Sequence, residues 1–153
     1  MSLAIENVTV RFGGVTPLDE VSFTFEPGVC GIIGPNGAGK TTLFNVLSGF
    51  ALPVAGSVRL GRDSLLDIAP HKRPGWGLRR TFQQEQVIRT LSLWDNVRLG
   101  ADHTGASLDD VARAIEYVGL EDRDRLGSRL TMLERRLVEV ARCVIGAPKL
   151  VLL

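Results

Sequence analysis

One stretch of the sequence reads Gly34-Pro35-Asn36-Gly37-Ala38-Gly39-Lys40-Thr41-Thr42 and fits the pattern G-x-x-x-x-G-K-[ST] at every fixed position. Glycines let successive backbone N–H groups turn inward around phosphate oxygens, an approach that side chains would block. In this pattern Lys40 reaches the β- and γ-phosphates as a point charge, and Thr41 offers its hydroxyl to Mg²⁺. The stretch therefore predicts a P-loop, the phosphate-binding loop of a nucleoside triphosphate site.

The residues on either side of this loop favour the same interpretation. Residues 29 to 33, Val-Cys-Gly-Ile-Ile, form a short apolar run typical of a buried parallel strand. Residues 42 to 49 have the pattern of a helix that ends at Gly49. A strand, a glycine-rich loop and a helix in this order would direct the positive end of the helix dipole at the phosphates. A glycine-rich turn without chemical consequence is the alternative, and it does not account for that order.

The composition is that of one ordinary soluble domain. The chain has 153 residues, of which 44% are hydrophobic and 23% charged. The net charge of +1, without a basic stripe interleaved with aromatic residues, disfavours nucleic acid as a partner. No apolar run approaches the roughly eighteen residues of a membrane span, and the N-terminus lacks the pattern of a signal peptide. We therefore expect a cytoplasmic protein.

The two cysteines and two histidines suggest neither a disulfide framework nor a metal site. We expect Cys30, in the predicted buried strand, and Cys143, in a late helix, to be small core residues. His71 and His103 are expected in loops or at the surface.

The first half of the chain has the pattern of β-strands. Residues 3 to 12 and 21 to 25 alternate apolar and polar side chains, as half-buried antiparallel strands do. Residues 56 to 61 predict another short strand, and residues 78 to 82 a further one. The prolines and glycines between residues 62 and 77 predict an irregular segment.

The second half is mostly helical in pattern. Ser92 to Asp95 and Ser107 to Asp110 resemble capping boxes with Asp in place of Glu, and the second opens a helix that ends at Gly119. A longer helix runs from about Thr131 to Ile145, and residues 149 to 153 begin a buried strand.

The longer helix has an apolar and a charged face. Its apolar face is predicted to carry five residues: Leu133, Leu137, Val140, Ala141 and Val144. Its charged residues mostly occupy the other face and are interpreted as solvated surface: Arg135, Arg136, Glu139 and Arg142.

Taken in order, these motifs resemble the ATP-binding subunits of ABC transporters, from Phe12 to Leu153. Four segments are particularly similar to the ATPases of branched-chain amino acid importers: Arg11-Phe12-Gly13-Gly14, Leu18-Asp19-Glu20-Val21-Ser22-Phe23, the P-loop, and Arg80-Thr81-Phe82-Gln83. The resemblance implies an α/β fold, with the core of an ABC-type P-loop NTPase, an N-terminal antiparallel β subdomain and a helical subdomain, truncated at the C-terminus. It implies one incomplete domain over 1–153, divided into a β subdomain (1–30), a core reaching the Q-loop (31–90), a helical subdomain (91–146) and the start of the Walker B strand (147–153).

The same resemblance implies the ligands ATP and Mg²⁺ and a role for two residues outside the P-loop. An aromatic residue at the position of Phe12 stacks on adenine in the family, which suits a flat π face, and a core role is the alternative. Gln83 matches the Q-loop glutamine, which with Thr41 helps to coordinate Mg²⁺ and which links the nucleotide site to the membrane subunit. Residues 84 to 94 would then face that subunit.

The family's signature motif falls on Leu130-Thr131-Met132-Leu133-Glu134, as the following Arg135-Arg136 and Val140-Ala141-Arg142 indicate. In the family this segment packs onto the γ-phosphate of a partner subunit through backbone N–H groups. Met132 and Leu133 replace the glycines of the motif, and we expect their side chains to hinder that approach.

Residues 150 to 153 match only the apolar part of Walker B, the motif whose Asp and Glu hold Mg²⁺ and activate water. The family's switch histidine has no counterpart either, so no catalytic residue lies within residues 1–153. We expect this chain alone to be inactive in ATP hydrolysis and, with an open sheet edge, to be prone to aggregation.

Two functional hypotheses follow. The first is an ATP-hydrolysing transport motor that dimerises with an identical or a different subunit on the cytoplasmic face of the inner membrane. It would contact membrane permease subunits through the region after Gln83, serve a periplasmic or extracellular solute-binding protein indirectly, and import small polar solutes such as branched-chain amino acids. The second is a degenerate ATP-binding module with a regulatory or structural role; an ABC ATPase acting on DNA or ribosomes is a distant third.

Overall fold

A computed structural model describes residues 1–102 and 104–153, so the expectation for His103 lies outside the described residues. The chain divides into two compact units, Met1–Lys72 and Arg73–Leu153. The subdomain boundaries drawn from the family resemblance stay a prediction.

The first unit is built on a four-stranded antiparallel sheet in the order β2-β1-β3-β4. Its strands are β1 (Leu3–Phe12), β2 (Val15–Phe25), β3 (Ala55–Leu60) and β4 (Asp63–Ser64). The predicted strands are confirmed here, but β2 begins six residues before residue 21. The turn at Gly13-Gly14 explains the difference, because it pairs Phe12 directly with Val15 and so extends the hairpin to its tip.

One helix accompanies this sheet, α1 (Lys40–Ser48). It ends at Gly49, whose φ of 84° is the left-handed conformation that terminates many helices. This confirms the helix predicted after the P-loop. A 3₁₀ turn, Pro70–Lys72, closes the unit and exposes His71.

The buried strand predicted over residues 29 to 33 is wrong. This segment pairs with no strand among the described residues, and Val29 and Ile33 are fully exposed. Cys30 is exposed as well, contrary to the expected core position. An apolar run supplies suitable side chains, but neighbouring strands that accept its backbone hydrogen bonds decide whether it becomes a strand.

The second unit contains two parallel strands, β5 (Leu78–Arg80) and β6 (Leu150–Leu152). Its helices are α2 (Arg73–Trp76), α3 (Leu93–Arg98), α4 (Leu108–Tyr117), α5 (Met132–Val144) and a 3₁₀ turn, Gly127–Arg129. Ser107 and Asp110 form the complete capping box predicted for α4. At α3, Ser92 accepts a hydrogen bond from the backbone N–H of Asp95.

The core of this unit lies between α3, α4 and α5. It consists of eleven buried hydrophobic side chains: Leu93, Val97, Ala101, Val111, Ala114, Ile115, Leu120, Leu130, Val138, Ala141 and Ile145. Cys143 is buried, as predicted. None of the described helices is long and apolar enough to cross a membrane.

The faces of α5 differ from their prediction. Leu133 is exposed, whereas Val138 and the carboxylate of Glu139 are buried. The interpretation of these charges as solvated surface is wrong for Glu139, which is buried, and for Arg135 and Arg142, which are partly buried, whereas Arg136 is exposed as expected. All four make hydrogen bonds or ion pairs with the chain around α5. Helical periodicity predicts which face of a helix carries the charged side chains, but not which carbonyl and amide groups of other segments lie against that face.

Candidate nucleotide site

The backbone of the P-loop takes a shape that requires glycine at two positions. Gly37 and Gly39 have φ angles of 85° and 83°, in the left-handed region that other residues rarely adopt. A Cβ on Gly39 would lie 2.4 Å from the carbonyl oxygen of Pro17 and 2.7 Å from Cδ2 of Leu18. Around Gly37 nothing lies within 4 Å of such an atom. Gly39 therefore lets α1 approach β2, while Gly37 serves the turn itself.

The N-terminus of α1 is suited to an anion. Gly39 is the N-cap and has no side chain to accept hydrogen bonds, and the first turn contains no acidic residue. The first amides of any helix lack acceptors within the helix, and the dipole adds positive potential there. The phosphate groups of a nucleotide would accept hydrogen bonds from these amides and bring negative charge to the positive end of the dipole.

Lys40 places its ammonium group over the loop. Its Nζ donates to the carbonyl oxygens of Gly34 and Pro35 at 2.6 and 2.8 Å. The loop around these contacts is open to solvent, because the residues from Pro35 to Ala38 are exposed. Within the loop, the N–H of Ala38 donates to the carbonyl of Pro35 at 3.2 Å.

Thr41, the second residue of α1, is exposed and carries the hydroxyl expected to meet Mg²⁺; the neighbouring Thr42 is half-buried. In residues 1–102 and 104–153, no group of three or more His, Cys, Asp or Glu is arranged to hold a metal ion. A single hydroxyl such as that of Thr41 suits an ion whose other ligands are phosphate oxygens and water, a common arrangement for Mg²⁺.

Phe12 lies at the tip of the β1–β2 hairpin and its side chain is 54% exposed. The sheet register relates it to the P-loop. Gly39 packs against Leu18, Leu18 pairs with Val10, and Phe12 lies two residues beyond Val10, about 7 Å along the strand. Exposure at this place leaves the ring available for stacking, which stays a prediction.

Gln83 is exposed in the loop that follows β5. Its backbone is held by α5, since Nη2 of Arg136 donates to the carbonyl oxygen of Gln83 at 2.7 Å. The role of its side chain towards Mg²⁺ stays a prediction.

The segment matched to the signature motif forms the N-terminus of α5. Leu130 is buried, and Thr131 is the N-cap in a complete capping box with Glu134. The T-x-x-E spacing could have predicted this box, which sequence reasoning missed. Met132 and Leu133 are 73% and 69% exposed, so they contribute little to the core.

Glu134 is held in its charged form by this capping box. A hydrogen bond from the backbone N–H of Thr131, followed by one from Arg125 and one from the Thr131 hydroxyl, lowers the pKa of Glu134 to about 2. A carboxylate therefore occupies the amide-rich end of α5 at neutral pH.

Comparison with known proteins gives consistent matches. The family model described as ABC transporter matches residues 18–153. The high-affinity branched-chain amino acid transport ATP-binding protein LivG of Salmonella typhimurium is 33% identical over 173 residues, which cover 99% of this chain and 68% of LivG. The spermidine/putrescine import ATP-binding protein PotA of Pseudomonas aeruginosa is 34% identical over 157 residues, covering 99% of this chain and 42% of PotA.

Solved structures show the same similarity. A nucleotide-free ATP-binding cassette from an ABC transporter superposes with a TM-score of 0.86 at 29% identity, over 99% of this chain and 68% of that protein. The ADP conformation of MJ1267, an ATP-binding cassette of an ABC transporter, gives a TM-score of 0.87 at 29% identity, over 99% and 67%. The chain thus spans about two thirds of the length of these proteins.

Proposed function

This chain belongs to the ABC transporter family of ATP-binding proteins, and from that premise we propose that it binds Mg-ATP as the energy source for solute import. The observation that carries the proposal is the N-terminus of α1. There Gly39 leaves the helix amides without a side-chain cap, and Lys40 holds its ammonium group on the carbonyl oxygens of Gly34 and Pro35 in the same loop. These groups suit a polyphosphate.

The proposed roles follow from the chemistry of the P-loop groups and, for Phe12 and Gln83, from the resemblance to the family. Lys40 neutralises the β- and γ-phosphates, the loop amides donate to their oxygens, and the Thr41 hydroxyl meets Mg²⁺, an ion that neutralises charge developing on the transferred phosphoryl group. Phe12 stacks on adenine. Gln83 is the Q-loop residue, which helps to coordinate the ion and links the nucleotide site to the membrane subunits.

For the whole protein we propose a dimer of ATP-binding subunits on the cytoplasmic face of the membrane, joined to permease subunits through the region after Gln83. The signature segment, residues 130 to 134, would face the partner subunit. Residues 1–153 contain no Walker B carboxylates, so we propose that they bind ATP by themselves without turning it over.

Branched-chain amino acids are the proposed cargo. LivG is described as a branched-chain amino acid transport protein, and the similarity of the segment from Arg80 to Gln83 supports the same cargo. PotA, a polyamine import protein of similar identity, favours spermidine as the competing cargo. Neither LivG nor PotA is described as a regulatory module.

The two cargoes are separated by uptake measurements. Cells that carry the complete gene with its permease genes should take up radiolabelled leucine, and a Lys40→Ala variant should lose this uptake. Uptake of spermidine instead would replace the proposed cargo and keep the ATP-driven importer. Full uptake of leucine by the Lys40→Ala variant would contradict the importer itself.

A further inference from the structure

The loop that follows β5 is held in place by side chains from two helices. Arg136, on α5, donates from Nη1 to the carbonyl oxygen of Phe82 at 3.0 Å and from Nη2 to that of Gln83 at 2.7 Å. The two N–H groups of one guanidinium thus hold two consecutive peptide units. The plane of the Gln83 peptide is fixed on its carbonyl side by this contact.

A buried carboxylate supports Arg136. Glu139, one turn further along α5, is only 4% exposed, and its Oε2 accepts from Nη1 of Arg136 at 2.7 Å. Its Oε1 accepts from the backbone N–H of Gln86 at 2.8 Å. A buried carboxylate is costly unless it is paired, so the ion pair and the contact with the loop stabilise each other.

Two further side chains complete the attachment. Arg142 donates from Nη1 to the carbonyl of Gln86 and from Nη2 to Oδ1 of Asn96, both at 2.7 Å. Asn96, on α3, has no exposed surface, and its amide exchanges two hydrogen bonds with the backbone of Ile88, at 2.8 and 2.9 Å. We call Arg136, Glu139, Arg142 and Asn96 the loop clamp.

The loop clamp connects Gln83 to the signature segment through one rigid element. Arg136, Glu139 and Arg142 follow at intervals of three residues and therefore share one face of α5. Arg136 lies four residues after Met132, about 6 Å along the helix axis. The helix that holds the backbone of Gln83 is therefore the one that bears the signature segment at its N-terminus.

We propose that Arg136 is a positioning residue for Gln83, fastening the glutamine to the helix that bears the signature segment. This rests on the proposed function, in which the Gln83 side chain serves the bound nucleotide. A guanidinium is required because only its planar fork reaches two carbonyls and a carboxylate together, whereas a lysine ammonium replaces one of these contacts at a time.

The test measures the affinity for Mg-ATP by titration calorimetry in the full-length protein, in a double-mutant cycle. Arg136→Lys keeps a positive charge to pair with Glu139, so we expect folding to be retained. It loses the planar guanidinium that reaches both carbonyl oxygens. It should weaken Mg-ATP binding by about threefold or more, and it should have no further effect in a Gln83→Ala background. The exposed Arg98, changed to Lys, is the matched control and should bind as the wild type does.

Other results would overturn the proposal. Equal losses from Arg136→Lys with and without Gln83 would mean that Arg136 acts on structure in general, and an unchanged affinity would mean that the fork is not needed. If Gln83→Ala leaves the affinity unchanged while Lys40→Ala lowers it, the ATP site stands and the positioning role falls. If Lys40→Ala is also without effect, the proposed function falls with it.

Discussion

At the scale of single residues, Gly37 and Gly39 show how one residue type serves two purposes in the same loop. Both have positive φ angles, but only Gly39 has a neighbouring backbone within clashing distance of a Cβ. The pattern of the P-loop predicts both glycines without distinguishing their reasons. The structure separates the conformational requirement from the packing requirement.

Replacing these glycines separately should therefore give different losses of stability. Gly37→Ala should cost about 1–2 kcal/mol, the price of the left-handed backbone alone. Gly39→Ala should reduce stability by about 1–3 kcal/mol more than Gly37→Ala does, because β2 and α1 must move apart. Urea unfolding of the two variants measures the difference, and equal losses would contradict the packing role of Gly39.

The exposed ring of Phe12 should contribute to ATP affinity but little to stability. Phe12→Ala should weaken ATP binding by about 1–3 kcal/mol, as loss of base–aromatic stacking does, and leave inorganic triphosphate binding nearly unchanged. Because the ring is largely exposed, stability should change little. Phe23→Ala, another exposed phenylalanine of the same sheet, is the matched control in calorimetry. Parallel weakening of both ligands would contradict a contact with adenine.

Sequence reasoning reached the P-loop because its residues act through local backbone conformation, which a pattern of neighbours encodes. It failed for Glu139 and Arg142, whose hydrogen bonds with Gln86 and Asn96 join residues 46 to 56 positions apart in the chain. Their shared face on α5 was the available signal. Charged side chains at intervals of three residues next to a buried stripe can form hydrogen bonds with another segment of the chain or with water. No local pattern tells which.

At the scale of elements, the N-terminus of α5 contrasts with that of α1. The first is capped by Thr131 and Glu134, whereas the second has no side-chain cap. Two helices of one chain therefore present different ends to an anion. The difference follows from the residue at the N-cap, glycine in one case and threonine in the other.

Stability should depend on pH through the cap of α5. The pKa of Glu134 is lowered to about 2 in the folded protein, so its contribution is present above about 4.5 and is lost as the pH falls towards 2. Glu134→Gln keeps an acceptor but not the charge. Its melting temperature should lie below that of the wild type at pH 7, and the gap should close in acid. A gap that persists unchanged down to pH 2 would contradict the charged cap, and exposed Glu116→Gln is the control.

The two exposed side chains of the signature segment should affect catalysis more than stability. Met132 and Leu133 are exposed, so changing both to glycine removes no core contact and costs roughly 1 kcal/mol of helix propensity per residue. If they hinder approach to a partner's γ-phosphate, the double variant of the full-length dimer should release phosphate faster. An unchanged or slower rate at full dimer occupancy would contradict the steric role.

At the scale of the whole molecule, the fold class was predicted correctly while one central segment was not. The antiparallel strands and the helices have strong periodic patterns, and the structure contains them. Residues 29 to 33 have an equally strong apolar pattern but lack strand neighbours among the described residues. Strand formation depends on partners far along the chain, so composition alone decides it less well than it decides a helix.

The P-loop is expected to bind a nucleoside triphosphate. Titration calorimetry of Mg-ATP against the wild type and Lys40→Ala tests it directly, with the exposed Lys72→Ala as a control of equal charge. We expect Lys40→Ala to bind Mg-ATP at least about tenfold more weakly, a loss of about 1.4 kcal/mol, and Lys72→Ala to bind as the wild type does. Equal affinities of the wild type and Lys40→Ala, both shown to be folded, would mean that the P-loop is not the nucleotide site.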